Sequence, residues 1–167
     1  MIKDSGDYTS QLDKLKVGDK AILEGAYGDL IEPQNVNDSK SLVLIAGGIG
    51  ITPMIGILRN LKNKDKKVKL IWSVRNESAL IKLEEIEELK NQYPNFDYRI
   101  TLSKDDHEIF DKGRIDEDYL NSLNVFNEFK DAKFYICGPD PLMDSMEDIL
   151  SKHIDKDQQN YERFKIK

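Results

Sequence analysis

Ser41-Leu42-Val43-Leu44-Ile45-Ala46-Gly47-Gly48-Ile49-Gly50-Ile51-Thr52-Pro53-Met54-Ile55-Gly56-Ile57-Leu58-Arg59-Asn60-Leu61 is the stretch on which the fold turns. The apolar run from Leu42 to Ala46 is short and bounded by glycine, which predicts a parallel strand covered on both faces rather than a helix. Gly47, Gly48 and Gly50 then turn the chain, permitting positive φ and close approach of a ligand to the backbone. Thr52 suits an N-cap and Pro53 a first helical position, so a helix is predicted from Met54 to about Leu61. Its free N–H groups and the positive end of its dipole face whatever lies over the turn, and the natural occupant is a phosphate.

The pattern departs from the dinucleotide fingerprint G-x-G-x-x-G, because Gly48-Ile49-Gly50-Ile51-Thr52-Pro53 has proline in place of the third glycine. No lysine follows the glycines, so the turn is not a P-loop either. Standing alone, the stretch also fits a tight strand-to-helix turn with no ligand.

A chain of 167 residues has room for one medium domain, or one domain plus a fragment, around a single core. A net charge of −6 and a pI near 5.0 lack the electrostatic footprint of a nucleic-acid binder. Cys137 is the single cysteine, which excludes a disulfide framework, a four-cysteine zinc site and a plant-type iron–sulfur cluster within the chain. His107 and His153 are far apart in sequence, so no metal-ligand spacing is present and no metal site is expected. The first ten residues carry no apolar h-region, and no run approaches the ~18 apolar residues of a membrane span. A soluble, cytoplasmic chain is the expectation.

Outward from the opening stretch, Val68–Val74 predicts a second strand, with Trp72 a core residue. Ser78 is the expected cap of a helix from about Ala79 to Tyr93, with Ala79, Leu83, Ile86 and Tyr93 facing inward and Glu84, Glu85, Glu87 and Glu88 outward. Pro94 ends it. Phe96–Leu102 is a third strand, Ser103–Lys112 a polar loop, and Asp116 to about Leu123 a short helix. Lys133–Cys137 is a fourth strand, followed by Gly138-Pro139 and a helix from Asp140 to about His153. A polar run, Asp155–Asn160, precedes a last strand over Tyr161–Ile166. Upstream, Tyr8–Leu15 predicts a short helix, Lys20–Glu24 a short strand and Glu32–Lys40 a linker. One helix and one strand cannot bury both their faces, so residues 1–40 read as the tail of another domain plus a linker, and 41–167 as the main domain.

Strands alternating with helices imply an open, mostly parallel five-stranded sheet flanked by helices; the order expected for it is 3-2-1-4-5, which makes the first and fourth strands neighbours. Ligands of such sheets lie beyond the carboxyl ends of the strands, where the order reverses. The loops after the first strand (Gly47, Gly48, Gly50, Thr52, Pro53) and the fourth (Cys137, Gly138, Pro139) become two lips of one crevice. The second strand ends in Ser73-Val74-Arg75, where a dinucleotide's adenosine ribose would lie. A hydroxyl and a guanidinium there suit a 2′-phosphate, although Arg75 is equally placed to pair with Glu77.

Together, Ala46-Gly47-Gly48-Ile49-Gly50-Ile51-Thr52-Pro53-Met54 and Cys137-Gly138-Pro139 resemble the nicotinamide-nucleotide domain of the ferredoxin-NADP reductase superfamily. That superfamily includes flavohaemoglobins and phenol-hydroxylase-type and ferric-reductase-type reductases. Ser73-Val74-Arg75, Gly113-Arg114-Ile115 and the tail Glu162-Arg163-Phe164 add to the likeness, which covers about residues 41–167. The resemblance implies that Gly48, Gly50, Thr52 and Pro53 carry the cofactor pyrophosphate and that Cys137 sits beside the nicotinamide as hydride passes to flavin N5. Phe164 matches an aromatic that lies near the flavin in many members. Gly6-Asp7-Tyr8-Thr9 resembles a flavin-phosphate motif, placing Gly6 and Thr9 among cofactor-binding residues. Lys16-Val17-Gly18-Asp19 and Gly25-Ala26-Tyr27-Gly28 resemble the end of a flavin barrel, so residues 1–40 read as a remnant of a flavin-binding β-barrel.

The expected cofactors are therefore NAD(P)H, with FAD in a larger parent, and the expected partner is the flavin domain of that parent. Its electron acceptor is unidentified, and any membrane association would come through upstream segments, as in a ferric-reductase-like protein. Two other readings stand beside this one. The chain is a non-catalytic docking module of the same fold, or Cys137, lying just before a helix N-terminus, is a nucleophile.

Overall fold

The computed structural model describes residues 9–22, 25 and 33–163. All strands among these residues belong to one six-stranded sheet in which every pairing is parallel. In chain order they are β1 (Ser41–Gly47), β2 (Lys67–Val74), β3 (Phe96–Leu102), β4 (Asp111–Lys112), β5 (Lys133–Gly138) and β6 (Gln159–Arg163), arranged β4-β3-β2-β1-β5-β6. The expected order of five strands is present, and the two-residue β4 adds a sixth outside β3. It lies within the expected polar loop and is too short to carry a period. The helices are α1 (Pro33–Asp38), α2 (Ile51–Arg59), α3 (Leu83–Gln92), α4 (Glu117–Ser122), α5 (Val125–Glu128) and α6 (Asp140–Leu150).

Residues of β1 alternate between two cores, which is why the whole strand is apolar. Leu42, Leu44 and Ala46 join Leu70, Trp72, Tyr135 and Cys137 under α2 and α3. Val43 and Ile45 join Ile71, Phe134 and Ile136 against α4, α5 and α6, through Leu120, Val125, Met143 and Met146.

Several local expectations need correction. The run expected as a linker contains α1, because Val36 is buried in the first core and its helix end is held by a lysine. The buried Lys66 sends its ammonium to the carbonyls of Val36 at 2.7 Å, Asn37 at 2.8 Å and Ser39. Burial lowers the pKa of that ammonium, opposed by the nearby charge of Asp38. Between β2 and α3, Glu77–Ala79 forms a 3-10 turn, and α3 starts four residues later than expected, at Leu83. Ser78 bonds Asn76 Oδ1 instead of capping α3, and Lys82 enters that helix through a left-handed conformation. Of the expected inward residues, Ile86 is buried in α3 and Tyr93 just after it, with Leu83 packed on the core; Ala79 falls in the preceding turn, Leu89 joins the buried face, and Glu85 is largely covered by its pair with Arg59.

Further along, Asp116 caps α4 by accepting the Tyr119 N–H at 2.8 Å, while α5 has no counterpart among the predicted helices. α6 ends at Leu150 rather than His153, and β6 begins at Gln159, two residues early. Thr9–Lys14 is a short 3-10 helix, and Lys20–Ile22 of the expected N-terminal strand form no strand. Leu15, Val17 and Ile22 are exposed. Glu24, Gly6 and Phe164 lie outside the described residues.

Candidate functional site

β1 and β5 are neighbours, with Ala46 in register with Cys137, so the two glycine turns emerge side by side at the carboxyl edge of the sheet. The glycines do different work. A Cβ on Gly50 would stand 2.2 Å from the Cys137 carbonyl oxygen, one on Gly47 2.8 Å from Pro139, and one on Gly138 3.0 Å from the Gly47 nitrogen. These three let the turns pack on each other. Of the four glycines in these two turns, only Gly48 combines a positive φ, 53°, with open space where a side chain would be. Gly48 is thus the point of the two turns where the backbone is open to close approach.

Gly48–Gly50 is already a 3-10 turn that runs into α2, so the helix begins before the expected cap. Thr52 is therefore inside the first turn, its hydroxyl donating to the Ile49 carbonyl at 3.0 Å, and Pro53 is the third residue of α2 instead of its first. No side chain caps this end of α2 or the start of α6 after Pro139; the Ile51 and Leu142 N–H groups are taken by the Gly48 and Pro139 carbonyls, and Pro53 and Pro141 have none to offer. Trp72, buried as expected, donates its indole N–H to the Gly48 carbonyl at 2.9 Å and so fixes this turn. Composition marks Trp72 as core, whereas this anchoring role depends on β2 lying beside β1.

Ser73 is half-buried in register with Gly47, and Arg75 is exposed just beyond the end of β2. Glu77 does not pair with Arg75. Its carboxylate lies 3.6 Å from His107 Nε2, and Arg75 makes no side-chain hydrogen bond or ion pair among the described residues.

Cys137 is wholly buried within the first core, so in this conformation its thiol presents no atom to the crevice. Burial, with the nearby charge of Glu162, pushes the thiol up to about 12. Such surroundings disfavour a thiolate, because burial opposes ionisation where a helix N-terminus would favour it. Glu162, unmarked as a site residue in the sequence reading, pairs in register with Cys137 and has its pKa raised by burial. Next to it, Arg163 reaches three carboxylates of α6, Asp144 and Glu147 at 2.8 Å and Asp140 at 3.3 Å, tying the end of β6 to that helix. The positions 140, 144 and 147 fall on one helical face, a signal readable in the sequence once β6 is known to lie beside it. Gly113 has φ of 110°, and its carbonyl accepts the Thr101 hydroxyl at 2.7 Å, joining the segment after β4 to β3. Thr9 opens the short 3-10 helix Thr9–Lys14. No cluster of three or more metal-binding side chains exists among the described residues.

A family model described as the oxidoreductase NAD-binding domain matches residues 44–148, from the middle of β1 to the last turn of α6. The chain belongs to this family. Within it, the chain is 30% identical over 166 residues to the flavohemoprotein of Rhizobium meliloti (strain 1021), covering 94% of this chain and 40% of that protein. The flavohem-like FAD/NAD-binding domain of nitric oxide dioxygenase from Vibrio cholerae O1 superposes with a TM-score of 0.83 at 25% identity, over 96% of this chain and 65% of the other. Ferredoxin-NADP+ reductase from Plasmodium falciparum, solved with 2′P-AMP, gives 0.75 at 25% identity over 96% and 66%. This NAD-binding domain thus spans two-fifths of its curated relative, and it has the fold of the nucleotide-binding halves of the ferredoxin-NADP reductase superfamily. No helix among its described residues is long and apolar enough to cross a membrane.

Proposed function

We propose that the chain binds NAD(P)H and orients it for hydride transfer to a flavin carried by another part of the same parent protein. The observation that carries this is the bare, positive-φ Gly48 between two uncapped helix starts, which suits a pyrophosphate. In this reading Gly47, Gly50 and Gly138 hold the two lips together, and Gly48 and the first turn of α2 receive the diphosphate. Ser73 and Arg75 lie at the adenosine end. Cys137 and Glu162 mark the nicotinamide end, where the buried thiol shapes the floor without ionising. Hydride transfer from nicotinamide C4 to flavin N5 is the chemistry the two cofactors supply when bound; the chain supplies binding, orientation and electrostatics. The free Arg75 favours NADPH over NADH.

FAD in the parent, the placement of Gly6, Thr9 and Phe164 near it, and residues 1–40 as flavin-domain remnant belong to the same proposal. The exposed Leu15, Val17 and Ile22 support it, since apolar side chains of this kind suit a missing packing partner. The flavoprotein relatives support it too. The electron acceptor and a cytoplasmic location stay with the parent.

The test is thermal unfolding with each nucleotide. At ten times Kd a single-site ligand adds about 1.4 kcal/mol, which raises Tm by a few degrees for a chain of this size. NADPH is expected to do so at lower concentration than NADH. A chain that self-associates and is unmoved by either nucleotide at millimolar concentration is a docking module instead.

A further inference from the structure

The carboxyl end of β2 holds an arrangement that the pairing of charges along the sequence does not predict. Asn76 is extended, with φ −151° and ψ 169°, so the side chains of Arg75 and Glu77 leave the backbone on the same side. Opposite charges so placed ordinarily meet. Here Glu77 Oε1 faces His107 Nε2 at 3.6 Å and the guanidinium is left unpaired among the described residues.

His107 is itself held in place. The Ile109 N–H donates to His107 Nδ1 at 3.1 Å, and the imidazole lies against the Phe110 ring with centroids 4.9 Å apart. Phe110 in turn packs on the first core. The start of the loop is fastened to β2, with Ser103 N–H on the Val74 carbonyl and Lys104 N–H on the Arg75 carbonyl, both at 2.9 Å. With Nδ1 accepting a backbone N–H, Nε2 is the ring atom turned to Glu77.

We propose that His107 is a positioning residue that gives this site its preference for a 2′-phosphorylated adenosine, by holding Glu77 away from Arg75. The proposal rests on the nucleotide reading above and adds to it which residue keeps the arginine free. Released from His107, Glu77 would neutralise Arg75 and repel the phosphate dianion; held, it leaves a planar donor pair for the phosphate oxygens. The carboxylate of Glu77 is largely exposed, so the effect is that of a surface pair.

The test is calorimetric titration of the full chain with 2′-phospho-AMP and with 5′-AMP, for the wild type, His107→Ala, Glu77→Gln and the double variant. Thermal melts confirm that each is folded. The wild type is expected to bind 2′-phospho-AMP more tightly than AMP. His107→Ala should weaken 2′-phospho-AMP by about two- to fivefold, the range of an exposed ion pair, and leave AMP unchanged. Adding Glu77→Gln to His107→Ala should restore the affinity, which a purely structural role of the imidazole would not allow. Equal weakening of both ligands, or failure of Glu77→Gln to rescue, overturns the proposal. So does AMP binding without any 2′-phosphate preference, which leaves nucleotide binding itself standing. A wild type that binds neither ligand removes the nucleotide reading and the proposal with it.

Discussion

Cys137 shows how a single side chain's meaning depends on its surroundings. In sequence it precedes a glycine-proline turn and a helix, the setting of a reactive thiol. In the fold it sits at the end of a doubly covered strand, sealed in the core, with Glu162 on the adjacent strand. Its pKa is raised from 9.0 to about 12, so the native state keeps a proton that the unfolded state gives up. Such a group's contribution to stability is complete below about pH 9 and is lost as the pH rises toward 12. Stability should therefore fall through that window, with Tyr98 and Tyr161, each raised to about 12 by burial, acting in the same direction. Cys137→Ala should flatten part of the slope measured by denaturant unfolding at successive pH values. Native protein at pH 8 should leave a thiol reagent such as DTNB unreacted until it is unfolded. Rapid labelling of the native chain would contradict the burial.

At the scale of elements, α1 illustrates tertiary override of local signals. Pro33-Gln34-Asn35-Val36-Asn37-Asp38 has little helix propensity and reads as a linker. It is helical because Val36 is buried and because Lys66, distant in sequence, satisfies the carbonyls that a short helix leaves open at its end. Lys66→Met keeps most of the stem and removes every donor. The expected cost is on the order of 1–3 kcal/mol, from acceptors left buried without partners, with faster amide exchange confined to residues 33–38. Unchanged protection of α1 would show that packing of Val36 alone suffices. The β2–α3 connection is a similar case: Ala79, Leu80 and Ile81 pack on the first core and hold the chain out of a helix until Lys82.

At the scale of the whole molecule, both cores close within residues 33–163, and the apolar side chains of residues 15–22 lie exposed outside them. A chain starting at residue 33 should therefore fold alone and keep the crevice. Its Tm is expected to lie within about 4 °C of the full chain, the equivalent of ~1 kcal/mol, in calorimetry. A larger loss would place part of residues 1–32 in the folding unit.

By itself the sequence determined the parallel sheet, the relative order of its five longer strands and the two glycine turns, but not the edge strand β4, because only the longer elements carry a readable pattern. An apolar run of strand length has one stable environment, and glycine followed by proline has few conformations. The sequence also carried the family likeness, through the proline that replaces the third glycine of the common fingerprint. Only the tertiary structure decided that Gly47, Gly50 and Gly138 serve packing while Gly48 is left open, because that depends on atoms of the neighbouring strand. It likewise decided that Trp72 anchors Gly48, that Glu162 stands beside a sealed Cys137 and that Glu77 turns to His107, with Arg75 unpaired among the described residues. Each of these is a contact between strands, loops or helices whose meeting depends on the crossover connections, and residue spacing carries no information about which side chains meet there.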